Sequence, residues 1–433
     1  MKARAAESLL DRRHRLLGPS LSLSYRSPLH IVRGRGAHLY DADGIEYLDC
    51  VNNVAHVGHA HPRVVEAAAR QMAELNTNTR YLHEKVLEYA ERLTATLPDP
   101  LEVAFFVNSG SEANELGLRL ARAASGRRDV LVLDVAYHGN TGGLVEVSPY
   151  KFDGPGGSGR PEHVHVAPLP DPYRGIHRGR TPETGAAYAA DLGRVLDDAA
   201  AAGRPVGTFL VEPIPGTAGH VVPPPGYLPA AFAAARAAGA VIVADEVQTG
   251  FGRVGEPWWW AAEALGAVPD VVTMGKPIGN GHPIGAVVTT REIAARFANG
   301  MEYFSTFGGN PVSAAVGLAV MDVVEDEALR TNARHVGGRL LEGLDGLRGR
   351  HPEIGDVRGM GLFIGVEIVR EPRSREPDGA RAGALVEAAR RRNVLLSTDG
   401  RAHNVIKIKP PLVLSETDAD QIVDTLDAAL AGD

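Results

Sequence analysis

Cysteine is almost absent. Cys50 is the only one in 433 residues. An intrachain disulfide is therefore excluded, and so is a zinc site built on a cysteine cluster. A single thiol suits a reducing compartment, and a cytoplasmic location is expected. Positive charge is not in excess. Lys+Arg number 45 against 53 Asp+Glu, a net charge of −8. That balance argues against a general nucleic-acid binder. Long apolar runs are also missing. Met1 to Ser20 mixes Lys2, Arg4, Arg12, Arg13 and Arg15 with Glu7 and Asp11. It has no apolar stretch of signal-peptide length, so an amphipathic helix is expected there. The longest apolar stretch, 226–244, is rich in alanine, contains Arg236 and runs into Asp245 and Glu246. It suits a buried helix followed by a strand, and no membrane span is expected. Metalloprotease HExxH, Walker A and GxSxG motifs are all lacking.

What is present is ordinary globular material. Hydrophobic residues are 44% and charged residues 23%, enough for a large core. Between about residues 100 and 290, short β-branched runs alternate with alanine-rich helical stretches. The strand candidates are 103–107, 130–133, 163–166, 208–211, 241–244, 271–273 and 286–289. Most lack strict alternation, which predicts strands buried on both faces. The pattern implies a doubly wound α/β domain, with ligands beyond the carboxyl ends of the strands. The C-terminal part predicts a smaller α+β unit. It has a helical stretch at 321–350, a strand at 362–369, a helix near 380–392, strands at 394–397 and 405–408, and a last helix. A strand pair at 38–40 and 47–48 is expected to pack against it. The expected domains are 55–310, the large one, and 1–54 with 311–433, the small one.

Three motifs carry chemistry. After Val107 the chain reads Asn108-Ser109-Gly110-Ser111-Glu112-Ala113-Asn114, then a helix. Ser109 and Glu112 have capping-box spacing, and Gly110 permits a tight turn. The free N–H groups of the helix start suit a phosphate, although an ordinary strand-to-helix turn looks the same. The 241–244 strand delivers Asp245 into the expected crevice. A carboxylate buried there needs a cationic partner: a metal, an arginine such as Arg253, or a protonated ring nitrogen. The 271–273 strand is followed by Met274-Gly275-Lys276-Pro277. That lone lysine is a candidate for a depressed pKa and a Schiff base, or else a loop lysine in solvent. Together, a phosphate cradle, a buried Asp and a desolvated Lys are the parts that hold pyridoxal phosphate.

The combination resembles the class III, or ornithine-aminotransferase-like, group of fold-type I pyridoxal-phosphate enzymes. The matching segments are NSGSEAN at 108–114, Tyr137-His138-Gly139, DEVQTGFGR at 245–253, PDVVTMGK at 269–276 and TFGGNP at 306–311. Within that group the chain is similar to phospho-lyases acting on ethanolamine phosphate and phosphohydroxylysine. That likeness rests on 49–62, SPYKF at 148–152, HVHVAP at 163–168, 275–283 and NVIKIKPP at 404–411. The resemblance implies a large, mostly parallel doubly wound sheet domain plus a small α+β domain. It makes Lys276 the Schiff-base lysine and proton carrier, and Asp245 the partner of the ring nitrogen. Gly110 and Ser111 are implied phosphate ligands. Tyr137 is the implied stacking aromatic, with His138 beside it and Val247 on the other face. Gln248 is implied near the ring hydroxyl, and Glu212 as an acid behind the cofactor. Thr306 resembles the threonine that reaches the cofactor phosphate of the neighbouring subunit. This implies a homodimer with shared sites, or a tetramer of two such dimers. Asn52 falls where the family's early loop lines the substrate mouth.

One departure bears on the substrate. Many class III aminotransferases carry an arginine before the Pro-Pro segment, where it clamps a carboxylate. This chain has Lys407 there and a second lysine, Lys409. Arginine matches a planar carboxylate bidentately, whereas lysine is a point charge. The change fits an amine with no carboxylate beside the reacting carbon. Lys407 is expected to turn toward a substrate phosphate from a resting place against Glu212, with Lys409 structural. The expected activity is elimination of phosphate from a small phosphorylated amine, ethanolamine phosphate first. The alternative is a class III omega-aminotransferase, which shares every cofactor residue. A non-catalytic regulator that keeps the fold is disfavoured by the presence of Lys276 and Asp245. No metal is expected: His56, His59 and His61 are taken to line the substrate mouth. The literal GxGxxG at 154–159 opens no helix and fails as a dinucleotide fingerprint. Trp258, Trp259 and Trp260 are expected in the core or a subunit interface.

Overall fold

The structure, a computed structural model, describes residues 8–432. Its strands in chain order are β1 (Ile31–Arg35), β2 (His38–Asp41), β3 (Glu46–Asp49), β4 (Val103–Val107), β5 (Val130–Leu133), β6 (Val164–Ala167), β7 (Thr208–Val211) and β8 (Val241–Asp245). They continue with β9 (Val271–Met274), β10 (Gly285–Thr289), β11 (Ile354–Met360), β12 (Phe363–Ile368), β13 (Val394–Leu395), β14 (Ser397–Asp399) and β15 (Val405–Ile408). A seven-stranded sheet has the order β4-β10-β9-β8-β7-β5-β6. Only β10 runs against its neighbours. Val130 and Val132 pack into one cluster with the helix Gly110–Ser125. Leu131 and Leu133 pack into another, with the helices Pro182–Ala201 and Tyr227–Ala237. Both faces are covered, which is why these strands read as unbroken apolar runs. The fold is the expected α/β class.

Two four-stranded sheets, β1-β2-β3-β13 and β11-β12-β15-β14, come from the two ends of the chain. β13 lies parallel to β3 and joins those ends. The helix Pro311–Asp326 is buried almost all round, as an all-apolar helix must be. The largest apolar cluster runs through it, from Met274 and Val288 to Ile364 and Ile406.

Several expectations need correction. The stretch 321–350 is not one helix. Pro311–Asp326 and Leu329–Leu347 are separated by Ala328, whose φ is +49°. An alanine in the left-handed region gives no sequence warning. Strands β1 and β11 were not expected. The stretch 394–397 splits between two sheets, as β13 and the start of β14. The N-terminal helix is Leu9–Leu16 and buries none of its residues; positions 1–7 lie outside the described residues. The apolar stretch 226–244 forms a helix, Tyr227–Ala237, and then β8. No helix among the described residues is long and apolar enough to cross a membrane. Trp260 is buried against Phe251, and its indole donates to Thr96 O at 3.0 Å.

Candidate active site

The parallel strands end on one side of the sheet, and the chain leaves them there into one cleft. Asn108–Ser111 follow β4, Tyr137–Gly139 follow β5, Glu212 follows β7, and Lys276 follows β9. Asp245 closes β8, with Val247 and Gln248 just beyond. These residues line a cavity of about 330 Å³, joined by Val54, His282 and Ile284. Gly110, Ser111, Tyr137, His138, Glu212, Asp245, Val247, Gln248 and Lys276 are thus brought together as expected.

The helix start at Gly110 is capped by Ser109 Oγ, which accepts from Glu112 N at 3.1 Å. The reciprocal bond is displaced by one residue: Glu112 Oε2 accepts from Asn108 N at 3.0 Å. A Cβ on Gly110 would stand 2.6 Å from Val247 Cγ1. A Cβ on Gly275 would stand 2.9 Å from Gly110 N. Two glycines therefore let the helix start, Val247 and the lysine loop converge. Ser111 Oγ donates to Asn140 Oδ1 at 3.0 Å.

Asp245 is buried and triply bonded. Its Oδ2 accepts from Asn114 Nδ2 at 2.7 Å and His138 Nδ1 at 2.8 Å, and its Oδ1 from Val247 N at 3.1 Å. A carboxylate only accepts, so His138 carries its proton on Nδ1. Among the described residues, His138 Nε2 is buried without a partner. Arg253 is not the partner of Asp245. Its buried guanidinium donates to Leu362 O at 3.1 Å and Pro410 O at 2.5 Å. Burial lowers the pKa of Lys276, opposed by the charges of Asp245 and Glu212. Lys276 is half-buried and lines the cleft, so it is not a surface-loop lysine. Burial raises the pKa of Glu212; His138 opposes this and Asp245 adds to it. Its Oε2 accepts from Gly216 N at 3.0 Å. Tyr137 meets Tyr150 edge-on at 6.2 Å, with Lys151 Nζ 5.5 Å from the Tyr137 ring.

Other expected residues fall elsewhere. Lys407 does not rest on Glu212; its Nζ donates to Asp399 Oδ1 at 2.9 Å. The hairpin explains this. Ser397 lies opposite Lys407 and Asp399 opposite Val405, so Asp399 and Lys407 are diagonal neighbours on one face. Lys409 donates to Gln248 Oε1 at 2.7 Å and so touches the cleft lining. Its pKa is lowered by burial to about 7. Asn52 is outside the cleft lining, and its N–H donates to Asp49 Oδ1 at 3.0 Å. Its neighbour Asn53 reaches Gln248 Oε1 at 3.2 Å. The three histidines do not line the mouth. His56 bonds Phe251 O, His59 bonds Asp49 and His61 bonds Glu327. Thr306 is exposed, outside the cleft of its own chain. Asn114, Asp399 and His220 were missed; only strand register would have revealed Asp399.

The family description that matches the chain is aminotransferase class-III, over residues 22–430. The chain belongs to the class III aminotransferase family. An alanine–glyoxylate aminotransferase 2-like protein of Drosophila melanogaster is 49% identical over 95% of this chain and 84% of its own length. Ethanolamine-phosphate phospho-lyase homolog 1 of Caenorhabditis elegans is 40% identical over 99% of this chain and 94% of its own. Among solved structures, a phospholyase from Arthrobacter in complex with phosphoethanolamine superposes with a TM-score of 0.92. It is 42% identical and covers 98% of this chain and 99% of that one. This class III protein is therefore a pyridoxal-phosphate-dependent enzyme. The cleft fits that cofactor. It offers a capped helix N-terminus whose glycine admits close approach, an anion fixed by three donors, and a lysine biased toward its neutral form.

Proposed function

We propose that this class III enzyme is a phospho-lyase. It converts ethanolamine phosphate and water to acetaldehyde, ammonia and inorganic phosphate. The observation that carries the reading is Lys407. It stands where the family resemblance implies a carboxylate-clamping arginine, and its Nζ is held by Asp399 Oδ1 at 2.9 Å. The names of the Arthrobacter and worm relatives support the same reading. When bound, the cofactor supplies an electron sink for the pair left by a broken C–H bond. Lys276 Nζ holds the cofactor and, once free, takes the proton from the carbon bearing the substrate nitrogen. Asp245 would keep a proton on the cofactor's ring nitrogen. When the cofactor is bound, Gly110 and Ser111 would hold its phosphate, Tyr137 and Val247 would hold the ring, and Gln248 and Glu212 would lie beside it. Lys407 offers its ammonium to the substrate phosphate, where negative charge grows as the C–O bond breaks.

The reading includes a cytoplasmic homodimer, in which Thr306 of one subunit reaches the cofactor phosphate of the other. It also includes a cofactor-binding domain, 55–310, and a small domain built from both chain ends. The alternative, an omega-aminotransferase, is favoured by the name of the fly relative. One incubation separates the two. Holoenzyme with ethanolamine phosphate and no keto acid should release phosphate and acetaldehyde in equal amounts. Amino transfer that appears only with a keto acid, and no phosphate release, would establish the aminotransferase instead.

A further inference from the structure

Gln248 lines the cleft just beyond Asp245. Its side chain ends in an acceptor, Oε1, and a double donor, Nε2, of nearly equal size. Neighbours therefore decide which end the site can use. Two buried side chains do so here, Lys409 and Asn53. Lys409 Nζ donates to Oε1 at 2.7 Å, and Asn53 Nδ2 donates to the same oxygen at 3.2 Å. Both lone pairs of that oxygen are engaged. Nε2 makes no hydrogen bond among the described residues. It stands by Gly216, where a Cβ would lie 2.9 Å from Gln248 Nε2 and 3.4 Å from Glu212 Oε2. The backbone N–H of Lys409 is anchored on Cys50 O at 2.9 Å. Burial opposes the charge of Lys409, Asp399 supports it, and Lys407, Lys276 and Arg253 oppose it. A buried lysine is costly, and an apolar side chain of similar length is often as stable in its place. Packing alone does not account for it.

We propose that Lys409 is a positioning residue: it commits Gln248 Oε1 to itself and leaves Nε2 as the donor offered to the ring oxygen of the bound cofactor. The proposal rests on the reading that Gln248 lies beside that oxygen, and it applies to elimination and to amino transfer alike. An N–H opposite an oxygen favours its anionic form, whereas a carbonyl oxygen there favours the protonated form. The amide can turn end for end at little steric cost, so the sign of this contact depends on what holds it. Asn53 is a weak hold, because its own amide can turn to match. An ammonium only donates, and a neutral amine still has N–H groups to give. Lys409 thus sets the polarity of a contact that it does not make itself.

The test follows the visible absorbance of the holoenzyme against pH, without substrate. That band reports the proton shared between the ring oxygen and the Lys276 nitrogen that holds the cofactor. A donor on the oxygen lowers the midpoint, so losing it raises the midpoint. Lys409→Met should raise it by about one pH unit, the scale of one hydrogen bond to a charged group. Gln248→Leu should raise it by a similar amount. In the Gln248→Leu background, Lys409→Met should add less than about 0.3 pH unit, because both changes remove the same contact. A full further rise there means that the lysine acts by its charge alone, and overturns the proposal. So does an unchanged midpoint in Lys409→Met when Gln248→Leu has moved it; the placement of Gln248 then stands. An unchanged midpoint in Gln248→Leu removes that placement and the proposal with it. Lys409→Arg keeps both charge and donors and should hold the wild-type midpoint. A rise of about one unit in Lys409→Arg overturns the proposal even if Lys409→Met fails to fold. Because no substrate is present, the result is independent of whether ethanolamine phosphate releases phosphate.

Discussion

Asp245 is oriented by the protein's own donors. Asn114, His138 and the Val247 N–H occupy three of its acceptor directions. Its remaining capacity faces a cleft that also holds Lys276. A fixed anion raises the pKa of a nitrogen beside it, and that protonation makes the ring an electron sink. Asp245→Asn keeps the shape and removes the charge. Turnover should fall by roughly 10²-fold or more, a scale set by electrostatic contributions to catalysis. Steady-state phosphate release measures it, and an Asn variant within a few-fold of wild type removes Asp245 as the nitrogen's partner. Lys276→Ala should abolish covalent attachment. Mass spectrometry after borohydride reduction should find no cofactor adduct; an adduct on another lysine would displace Lys276 from its role. Both residues were legible because each stands at the carboxyl end of a buried strand, Asp245 closing β8 and Lys276 two residues past β9. Asp399 was not, because its meaning depends on hairpin register, which the sequence between 397 and 408 does not announce. Glu212 was a plausible partner for Lys407 only while the strands had no positions.

The start of the helix Gly110–Ser125 shows how elements build the site. Its N-terminal N–H groups are useful only if Val247 and the lysine loop pack against them. Gly110 permits this, since a Cβ there would meet both Val247 methyls, at 2.6 and 2.9 Å. Valine is branched at Cβ and has little room to turn aside. Gly110→Ala should therefore cost about 1–3 kcal/mol of stability, the usual range for overpacking. It should also weaken cofactor binding, read as a smaller gain in Tm on adding pyridoxal phosphate. An unchanged gain would mean that the helix start is not a cofactor contact. Central strands such as β5 were readable because helices cover both faces and every position is apolar. β1 has no fully buried position and contains Gly34, so it carries no such signal. β11 contains Gly355, Gly359, Asp356 and Arg358 and reads as a loop. It stands as a strand because Arg358 is buried in ion pairs with Asp356 and Glu367, partners that only the folded chain supplies.

At the scale of the molecule, one region has more apolar surface than a single chain explains. Leu82 is 98% exposed and Phe307 69%, with Tyr81, Met301 and Phe304 also exposed. The two segments meet: the Arg80 guanidinium lies 4.0 Å from the Phe304 ring centroid and pairs with Glu302. Clustered exposed apolar residues mark interaction surfaces more often than isolated ones do. Thr306 lies within the second segment and outside its own cleft. A homodimer would cover the patch and carry Thr306 to the other subunit's cofactor. Leu82→Asp combined with Phe307→Asp places two charges where that contact must be dry, and desolvating unpaired carboxylates is costly. Sedimentation should show the double variant as a monomer. Its affinity for pyridoxal phosphate should drop, because Thr306 of the partner subunit no longer reaches the phosphate. Thr306→Ala alone should weaken the cofactor while the protein stays dimeric, which separates the ligand from the interface. A double variant that remains a dimer would mean that these segments are not the contact. A monomer with undiminished cofactor affinity would mean that each subunit completes its own site.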